Sequence, residues 1–186
     1  MEIVVPFARI KALNPNISAS TSADFSDEYY KCIIVSLMSF RKFNLNAKLV
    51  LATNFAVPSK YSDRLLKLNV ETRIIPFTFE PPTEFGDKFR GCFYIFDVIA
   101  AANESALYLD PDVICINNLD VMDKELNDKI GVFELNFPRD YNINGLTINE
   151  ASNLWTDFKA ANRKLSLTEN HLGGEAIYIP KDCLVQ

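Results

Sequence analysis

Glycine and histidine are scarce in this sequence, and their scarcity excludes several common chemistries. Only six glycines occur among 186 residues. They form neither a G-x-G-x-x-G turn nor a G-x-x-x-x-G-K-[ST] loop, so classical NAD enzymes and P-loop ATPases are excluded. The single histidine, His171, is accompanied by no G-x-S-x-G serine and no second histidine, which excludes the usual hydrolase triad and H-E-x-x-H metal sites. Any chemistry of this chain must therefore depend on carboxylates.

The cysteines offer no framework for a metal or for disulfides. They show no C-x-x-C spacing, and each lies among apolar neighbours in the sequence. This pattern predicts reduced cysteines in the core, makes a zinc site or a disulfide scaffold unexpected, and favours a reducing cytoplasm. The four cysteines are Cys32, Cys92, Cys115 and Cys183.

Neither a basic block nor a long apolar run is present. Nineteen Lys and Arg residues against 24 Asp and Glu residues give a net charge of −5, and these charges are scattered along the chain. A nucleic-acid partner is therefore not expected. No uncharged apolar run approaches the roughly 18 residues that a membrane-spanning helix needs, and the opening Met1-Glu2-Ile3 lacks the features of a signal peptide. We expect a cytoplasmic protein without a membrane-spanning segment.

Apolar runs and helical patterns alternate along the chain, which predicts an α/β fold. The length and the apolar content of 48% suit one domain over residues 1–186. Strands separated by helices imply right-handed crossovers and a mainly parallel, mixed sheet. The predicted strands are residues 3–5, 48–52, 71–75, 106–109, 113–116, 130–135 and 176–179. The first predicted helix begins at Ser26, and the next two cover residues 58–68 and 88–103. A fourth includes Ala151, Leu154, Trp155 and Phe158. The expected buried face of helix 88–103 comprises Phe89, Cys92, Phe93, Phe96, Ile99 and Ala100.

An acidic turn, Asp110-Pro111-Asp112, follows the buried strand 106–109. Open α/β sheets bind ligands in the crevice at the carboxyl ends of their strands, where these two carboxylates would project. One or two carboxylates with an open coordination face suit Mg²⁺ or Mn²⁺ bound together with a diphosphate. The alternative is an ordinary Asp-Pro turn that ends a strand.

The context of this turn resembles a known family. Residues 106–120, ALYLDPDVICINNLD, are similar to the central motif of GT-A nucleotide-sugar glycosyltransferases, particularly family 8 with its glycogenin-like and galactosyltransferase-like members. Residues 25–40 resemble the first helix of that family, and residues 88–90 take the place of its basic helix start. Residues 171–175, HLGGE, are similar to its glycine-containing strand entry. The resemblance implies a Rossmann-like, three-layer GT-A sandwich that binds a nucleotide sugar.

The resemblance also implies a metal site and an acceptor site. Asp112 would ligate Mn²⁺ or Mg²⁺ directly, while Asp110 would contact the donor ribose or reach the metal through water. The metal would neutralise the diphosphate as the sugar leaves. Glu175 would bind the acceptor hydroxyl or act as a base, and the alternative for Glu175 is a merely exposed residue at a strand start.

Further residues are implied to bind the nucleotide donor. They are Pro6, Phe7 and Ala8 in the base pocket, Asp27 and Tyr30 at the base or ribose, and Lys88, Arg90 and Asp110 beside the rest of the donor. Tyr30 also lies on an apolar helix face, so a core role is its alternative. Arg90 shares an i, i+4, i+7 stripe with Tyr94 and Asp97, for which a solvated helix shoulder is the alternative. His171 is expected to be a loop histidine.

The favoured function is metal-dependent transfer of a sugar from a nucleoside diphosphate, expected to be UDP, to a hydroxyl of a saccharide, lipid or protein. The alternatives are an inactive GT-A-like domain that binds a nucleotide sugar or a partner, and a haloacid-dehalogenase-type phosphatase with Asp110 as nucleophile. The family has a late His-x-x-Gly-x-x-Lys region, which is missing before the sequence ends at Gln186. A C-terminal part is therefore expected to be lacking.

Overall fold

A computed structural model describes residues 1–10, 26–79, 90–126, 128–134, 137–143, 146–147, 149–150, 152–153, 156 and 172–184. The strands are β1 Glu2–Phe7, β2 Lys48–Thr53, β3 Val70–Ile74, β4 Ala106–Leu109, β5 Gly131–Glu134, β6 Asn142–Ile143, β7 Leu146–Thr147 and β8 Leu172–Ile179. The α-helices are α1 Ser26–Phe43, α2 Ser59–Lys67, α3 Tyr94–Ala100 and α4 Asp120–Leu126. Two 3₁₀ turns cover Arg90–Phe93 and Lys181–Cys183.

The larger sheet has six strands in the order β3-β2-β1-β4-β8-β5. Strands β3, β2, β1 and β4 run parallel to one another, and β8 pairs with β4 in the antiparallel direction. The predicted mainly parallel, mixed α/β sheet is thus confirmed. Strand β1 continues through Pro6 to Phe7 instead of ending before the proline. The missing N–H is tolerated because the described pairing of β1 with β4 ends at Val4, and only β2 continues beside Pro6.

The central strands β1, β2 and β4 are buried on both faces, as parallel strands in an α/β protein require. Alternate residues of the central strands point to opposite faces. One apolar cluster joins Ile3 and Val5 to α1 and α2, and the other joins Val4 and Tyr108 to Tyr94 of α3. These two clusters produce the predicted three layers, with the sheet in the middle.

Helix α1 begins at Ser26 as predicted, and acidic residues occupy its first turn, where the helix dipole favours them. At its other end, the Arg41 guanidinium donates to four main-chain carbonyls at 2.6 to 3.1 Å. Two of these carbonyls belong to Leu68 and Asn69, which lie between α2 and β3. Arg41 therefore links the end of α1 to the segment between α2 and β3.

Residues 113–116 do not form the predicted strand. Side chains from the end of α1 hold this segment instead. Ser39 Oγ accepts the Cys115 N–H at 2.8 Å, and Asn44 Oδ1 accepts the Leu119 N–H at 2.8 Å. These hydrogen bonds satisfy two main-chain donors without a neighbouring strand.

The expectation of four core cysteines is wrong. All four cysteines are free thiols, but only Cys115 is buried, while Cys32, Cys92 and Cys183 are exposed. The apolar neighbours of the exposed cysteines in the sequence lie on other faces of their elements, since adjacent residues of a helix or strand point in different directions.

Contacts divide the chain into two compact units. The first unit comprises residues 1–131 and 175–186, and the second comprises residues 132–174. The expectation of a single donor-binding domain over residues 1–186 stays a prediction. The predicted helix residues Ala151, Leu154, Trp155 and Phe158 lie outside the described residues. Within the described ranges, no helix combines the length and the apolar character needed to cross a membrane.

Candidate functional site

The acidic turn lies at the carboxyl end of β4. The Val113 N–H donates to the Asp110 carbonyl at 3.3 Å, which closes a four-residue turn. Pro111 occupies the second position of that turn, where its fixed φ suits a β-turn. Both Asp110 and Asp112 are exposed to solvent. The local sequence therefore places two carboxylates on one rigid turn, as predicted.

Glu175 lies opposite Asp110 across the β4–β8 pair. Leu109 pairs with Ala176, and one position further the Asp110 N–H donates to the Glu175 carbonyl at 3.0 Å. Side chains directly opposite one another in a sheet share a face and stand about 5 Å apart at Cβ. The structure thus brings Glu175 close to Asp110 and Asp112, which were predicted from a different segment of the sequence.

This gathering of carboxylates is electrostatically unfavourable without a cation. Desolvation by the surrounding protein atoms raises the pKa of Asp110 to about 6, and the negative charges of Asp112 and Glu175 add to the rise. The Asp110 side chain still reaches solvent, so it is partly desolvated but remains accessible. An incoming cation would relieve this repulsion.

The 3₁₀ turn Arg90–Phe93 lies close to the acidic turn. Desolvation by the surrounding protein atoms raises the pKa of the Cys92 thiol although Cys92 reaches solvent, and the charge of Asp110 raises it further. Arg90 begins this same turn and is half-buried. The predicted position of Arg90 beside the donor stays a prediction, and Lys88 and His171 lie outside the described residues.

The other members of the predicted Arg90 stripe have structural roles. Tyr94 is buried, and its hydroxyl donates to the Ile75 carbonyl at 2.9 Å. Asp97 accepts hydrogen bonds from the N–H groups of Thr78 and Phe79 at 2.8 and 2.9 Å. Tyr94 and Asp97 therefore hold the loop that follows β3.

The proposed base-pocket residues lie at the carboxyl end of β1. Phe7 and Ala8 are buried. The Phe7 ring stacks on Tyr29 at 5.4 Å and meets the edges of Tyr30 and Phe55 at 5.5 and 5.7 Å between centroids. These aromatic contacts make Phe7 part of the core, and contact of Pro6, Phe7 and Ala8 with a base stays a prediction.

Asp27 has a role that the sequence did not reveal. Its carboxylate accepts hydrogen bonds from Lys60 and Tyr61 of α2 and pairs with Lys31 at 2.8 Å. These partners, with Lys31 the largest contributor, hold the pKa of Asp27 well below its usual range. Asp27 thus joins α1 to α2, and its contact with a nucleotide stays a prediction.

Tyr30 is 1% exposed and stacks on Tyr61 with a centroid distance of 4.4 Å. Its hydroxyl is buried and has no hydrogen-bond partner among the described residues. The structure therefore supports the core alternative for the Tyr30 ring. Its predicted contact with the base or ribose stays a prediction.

Carboxylate pairs of this kind suit a hard divalent cation whose other ligands are phosphate oxygens and water. Asp110 and Asp112 provide such oxygen ligands on one exposed turn. Within the described ranges, no group of three or more His, Cys, Asp or Glu side chains could hold a metal ion by itself. The carboxylates of Asp110 and Asp112 therefore suit an ion that is also bound by a ligand better than an ion whose ligands all come from the protein.

A cavity of about 350 Å³ lies away from this site. Its lining includes Met1, Phe43, Asn44 and Leu119, near the amino ends of β1 and β2. Ligands of open α/β sheets bind at the opposite, carboxyl edge. This cavity therefore lies at the other edge of the sheet from the acidic turn.

The fold is that of the GT-A glycosyltransferases. Solved structures with this fold include the galactosyltransferase LgtC in complex with donor and acceptor sugar analogs, with 13% identity and a TM-score of 0.52. Mouse xyloside xylosyltransferase 1 matches with 12% identity and a TM-score of 0.52, and core-mannan synthase A from Aspergillus fumigatus in its Mn/GDP form matches with 10% and 0.53. No family model and no curated protein matches the sequence.

Each of these three matches covers 98% of this chain. In the opposite direction they cover 59% of the galactosyltransferase, 67% of the xylosyltransferase and 60% of the mannan synthase. The chain thus spans less than two thirds of the galactosyltransferase and of the mannan synthase. At these identities the likeness establishes the fold.

Proposed function

We propose that this chain is the donor-binding part of a metal-dependent glycosyltransferase that uses a nucleoside diphosphate sugar. The observation that carries the proposal is the convergence of Asp110, Asp112 and Glu175 at the carboxyl end of β4. Ligands of open α/β sheets bind at this edge. The GT-A fold of the chain supports sugar transfer as the reaction.

Asp112, with Asp110 beside it, would hold Mn²⁺ or Mg²⁺. When bound, such an ion supplies charge that stabilises the departing diphosphate. Asp110 is the more crowded carboxylate, and it lies between Asp112 along the chain and Glu175 across the strand pair. Glu175 is exposed and would accept a hydrogen bond from the acceptor hydroxyl and orient it. The donor is expected to carry UDP, and the acceptor to be a hydroxyl of a saccharide, lipid or protein.

Thermal unfolding in the presence of ligand tests this proposal. We expect Mn²⁺ together with UDP or GDP to raise Tm more than either component alone, because a ligand that binds only the folded state stabilises it by mass action. At a hundredfold excess over Kd this amounts to about 2.7 kcal/mol. Asp112→Asn should abolish the joint shift without changing the Tm of the protein alone, since the Asp112 side chain is exposed.

Asp63→Asn is the matched control, because it neutralises an exposed aspartate on α2, away from the acidic turn. It should leave the joint shift intact. Absence of any shift with both nucleoside diphosphates in the folded chain would contradict the proposal, as would a shift that survives Asp112→Asn.

Binding without turnover is a second candidate function. It is favoured because, among the described residues, no group of three or more His, Cys, Asp or Glu side chains could hold a metal ion by itself. Release of UDP from UDP-sugars in the presence of Mn²⁺ separates the two functions. Donor binding with no UDP release, with or without sugar acceptors, would favour the binding domain.

A further inference from the structure

The side chain of Asn54 holds the main chain of Arg9 through two hydrogen bonds. The Arg9 N–H donates to Asn54 Oδ1 at 2.8 Å, and Asn54 Nδ2 donates to the Arg9 carbonyl at 2.9 Å. Asn54 directly follows β2, and Arg9 lies two residues beyond the end of β1. The pair fixes the course of the chain as it leaves β1 at the carboxyl edge of the sheet.

This edge of β1 is level with the acidic turn. Val4 lies opposite Tyr108 in the parallel pair of β1 and β4, so the same register places Pro6 opposite Asp110. Neighbouring strands are about 4.8 Å apart, and three extended residues span at most about 11 Å. These two limits put the Cα atom of Arg9 within about 16 Å of that of Asp110, with Arg9 on the β2 side of β1 and the acidic turn on its β4 side.

The positive charge of Arg9 influences a neighbouring tyrosine. Arg9 is exposed to solvent. Burial raises the pKa of Tyr30 to about 12, and the positive charge of Arg9 opposes that rise. The charge of Arg9 is thus felt at Tyr30, whose ring contacts Phe7 at the end of β1.

We propose that Arg9 binds the phosphate groups of the nucleotide donor and that Asn54 is the positioning residue that holds Arg9 in place. This inference rests on the proposed function. A diphosphate beside two aspartates gains from a cation on its other side, and the planar guanidinium of arginine binds phosphate oxygens in a bidentate manner. Two hydrogen bonds to the main chain of Arg9 reduce the freedom that such binding would otherwise have to remove.

Titration calorimetry with UDP and with uridine, both in the presence of Mn²⁺, tests the role of Arg9. Because Asn54 binds only main-chain atoms of Arg9, Arg9→Ala leaves the two hydrogen bonds intact. It should weaken UDP binding about tenfold or more and uridine binding by less than about twofold, a tenfold change being about 1.4 kcal/mol. Arg9→Lys should recover part of the UDP affinity. Arg64→Ala, which removes an exposed arginine on α2, should change neither ligand.

The outcomes separate this inference from the proposed function. If the unaltered chain binds neither UDP nor GDP, the proposed function fails and the inference fails with it. If the unaltered chain binds UDP and Arg9→Ala binds it equally well, only the inference is overturned. Equal losses for UDP and uridine would show that Arg9 supports the fold of the pocket and does not contact phosphate.

The role of Asn54 is tested by combining variants. Asn54→Ala keeps the charge of Arg9 but removes both hydrogen bonds, so it should lower the ratio of UDP affinity to uridine affinity. In the Arg9→Ala background the same change should leave this ratio unaltered, because residues that act as a unit are not additive. An equal effect of Asn54→Ala in both backgrounds would overturn the positioning role.

Discussion

Two stacked tyrosines differ in what their hydroxyls contact. The Tyr30 hydroxyl is buried without a partner among the described residues, whereas the Tyr61 hydroxyl donates to Asp27. Tyr30→Phe should therefore leave Tm unchanged or raise it, because an unsatisfied buried hydroxyl is unfavourable. The corresponding gain in the free energy of unfolding is at most about 1 kcal/mol. Tyr61→Phe should lower Tm, since it breaks a link between α1 and α2. Thermal unfolding followed by circular dichroism measures both, and a fall for Tyr30→Phe as large as that for Tyr61→Phe would contradict this account.

At the residue scale, the local sequence was sufficient to predict the acidic turn but not the contacts of Asp27 and Asn54. Asp110 and Asp112 are positioned by a turn of four consecutive residues, so their spacing alone predicts their placement. The ion pairs of Asp27 with α2 depend on how two helices pack, and nothing near Asp27 in the sequence marks Lys60 as its partner. The only available signal for Asn54 was its position two residues after a predicted strand.

Helix α2 contains two adjacent leucines that differ in burial. Leu65 is 1% exposed and packs in the core with α1 and the sheet, whereas Leu66 is 76% exposed. Leu65→Ala should lower the free energy of unfolding by about 2 to 5 kcal/mol, since it removes buried apolar surface and leaves a cavity. Leu66→Ala should change it by less than about 0.5 kcal/mol. Urea denaturation measures both, and similar losses would show that the face of α2 is wrongly placed.

The helix before β4 shows why one element was predicted only in part. The pattern over residues 88–103 predicted a single helix that buries Cys92 and Phe96, but both side chains are exposed. The described part consists of a 3₁₀ turn followed by α3, in which Tyr94 and Val98 are buried. A 3₁₀ turn has three residues per turn instead of 3.6, so it shifts the phase of the helix that follows. A pattern read at one period cannot show this shift.

At the scale of the whole molecule, alternation of strands and helices correctly predicted a mainly parallel sheet, and the resemblance to GT-A enzymes implied the helices on both of its faces. The antiparallel pairing of β8 with β4 was not predictable in the same way, because it joins residues about seventy positions apart. That pairing is what brings Glu175 to Asp110. The class of the fold thus follows from local patterns, whereas the composition of the candidate site depends on long-range register.

An ion-pair network joins the first three strands and makes stability depend on pH. Arg73 donates to both carboxylate oxygens of Glu2 at 2.6 and 2.7 Å and to Glu71 at 2.6 Å, and Lys48 pairs with Glu2 at 2.9 Å and with Glu71 at 3.1 Å. These hydrogen bonds, led by Arg73, lower the pKa of Glu71 from 4.5 to about 2 and also lower the pKa of Glu2. Glu2 is 4% exposed, so its charge depends on these partners.

Because both carboxyl groups have a lower pKa in the folded chain than in the unfolded chain, the folded state binds fewer protons. Their contribution to stability is complete above the ordinary pKa of 4.5 and is lost as the pH falls toward 2. Urea denaturation at a series of pH values from 7 to about 3 should therefore show decreasing stability, and Glu71→Gln should flatten that decrease. Glu104→Gln, which removes an exposed carboxylate paired with Lys181, should leave the slope unchanged. An equal slope for the unaltered chain and Glu71→Gln would mean that the network does not control the acid stability of this fold.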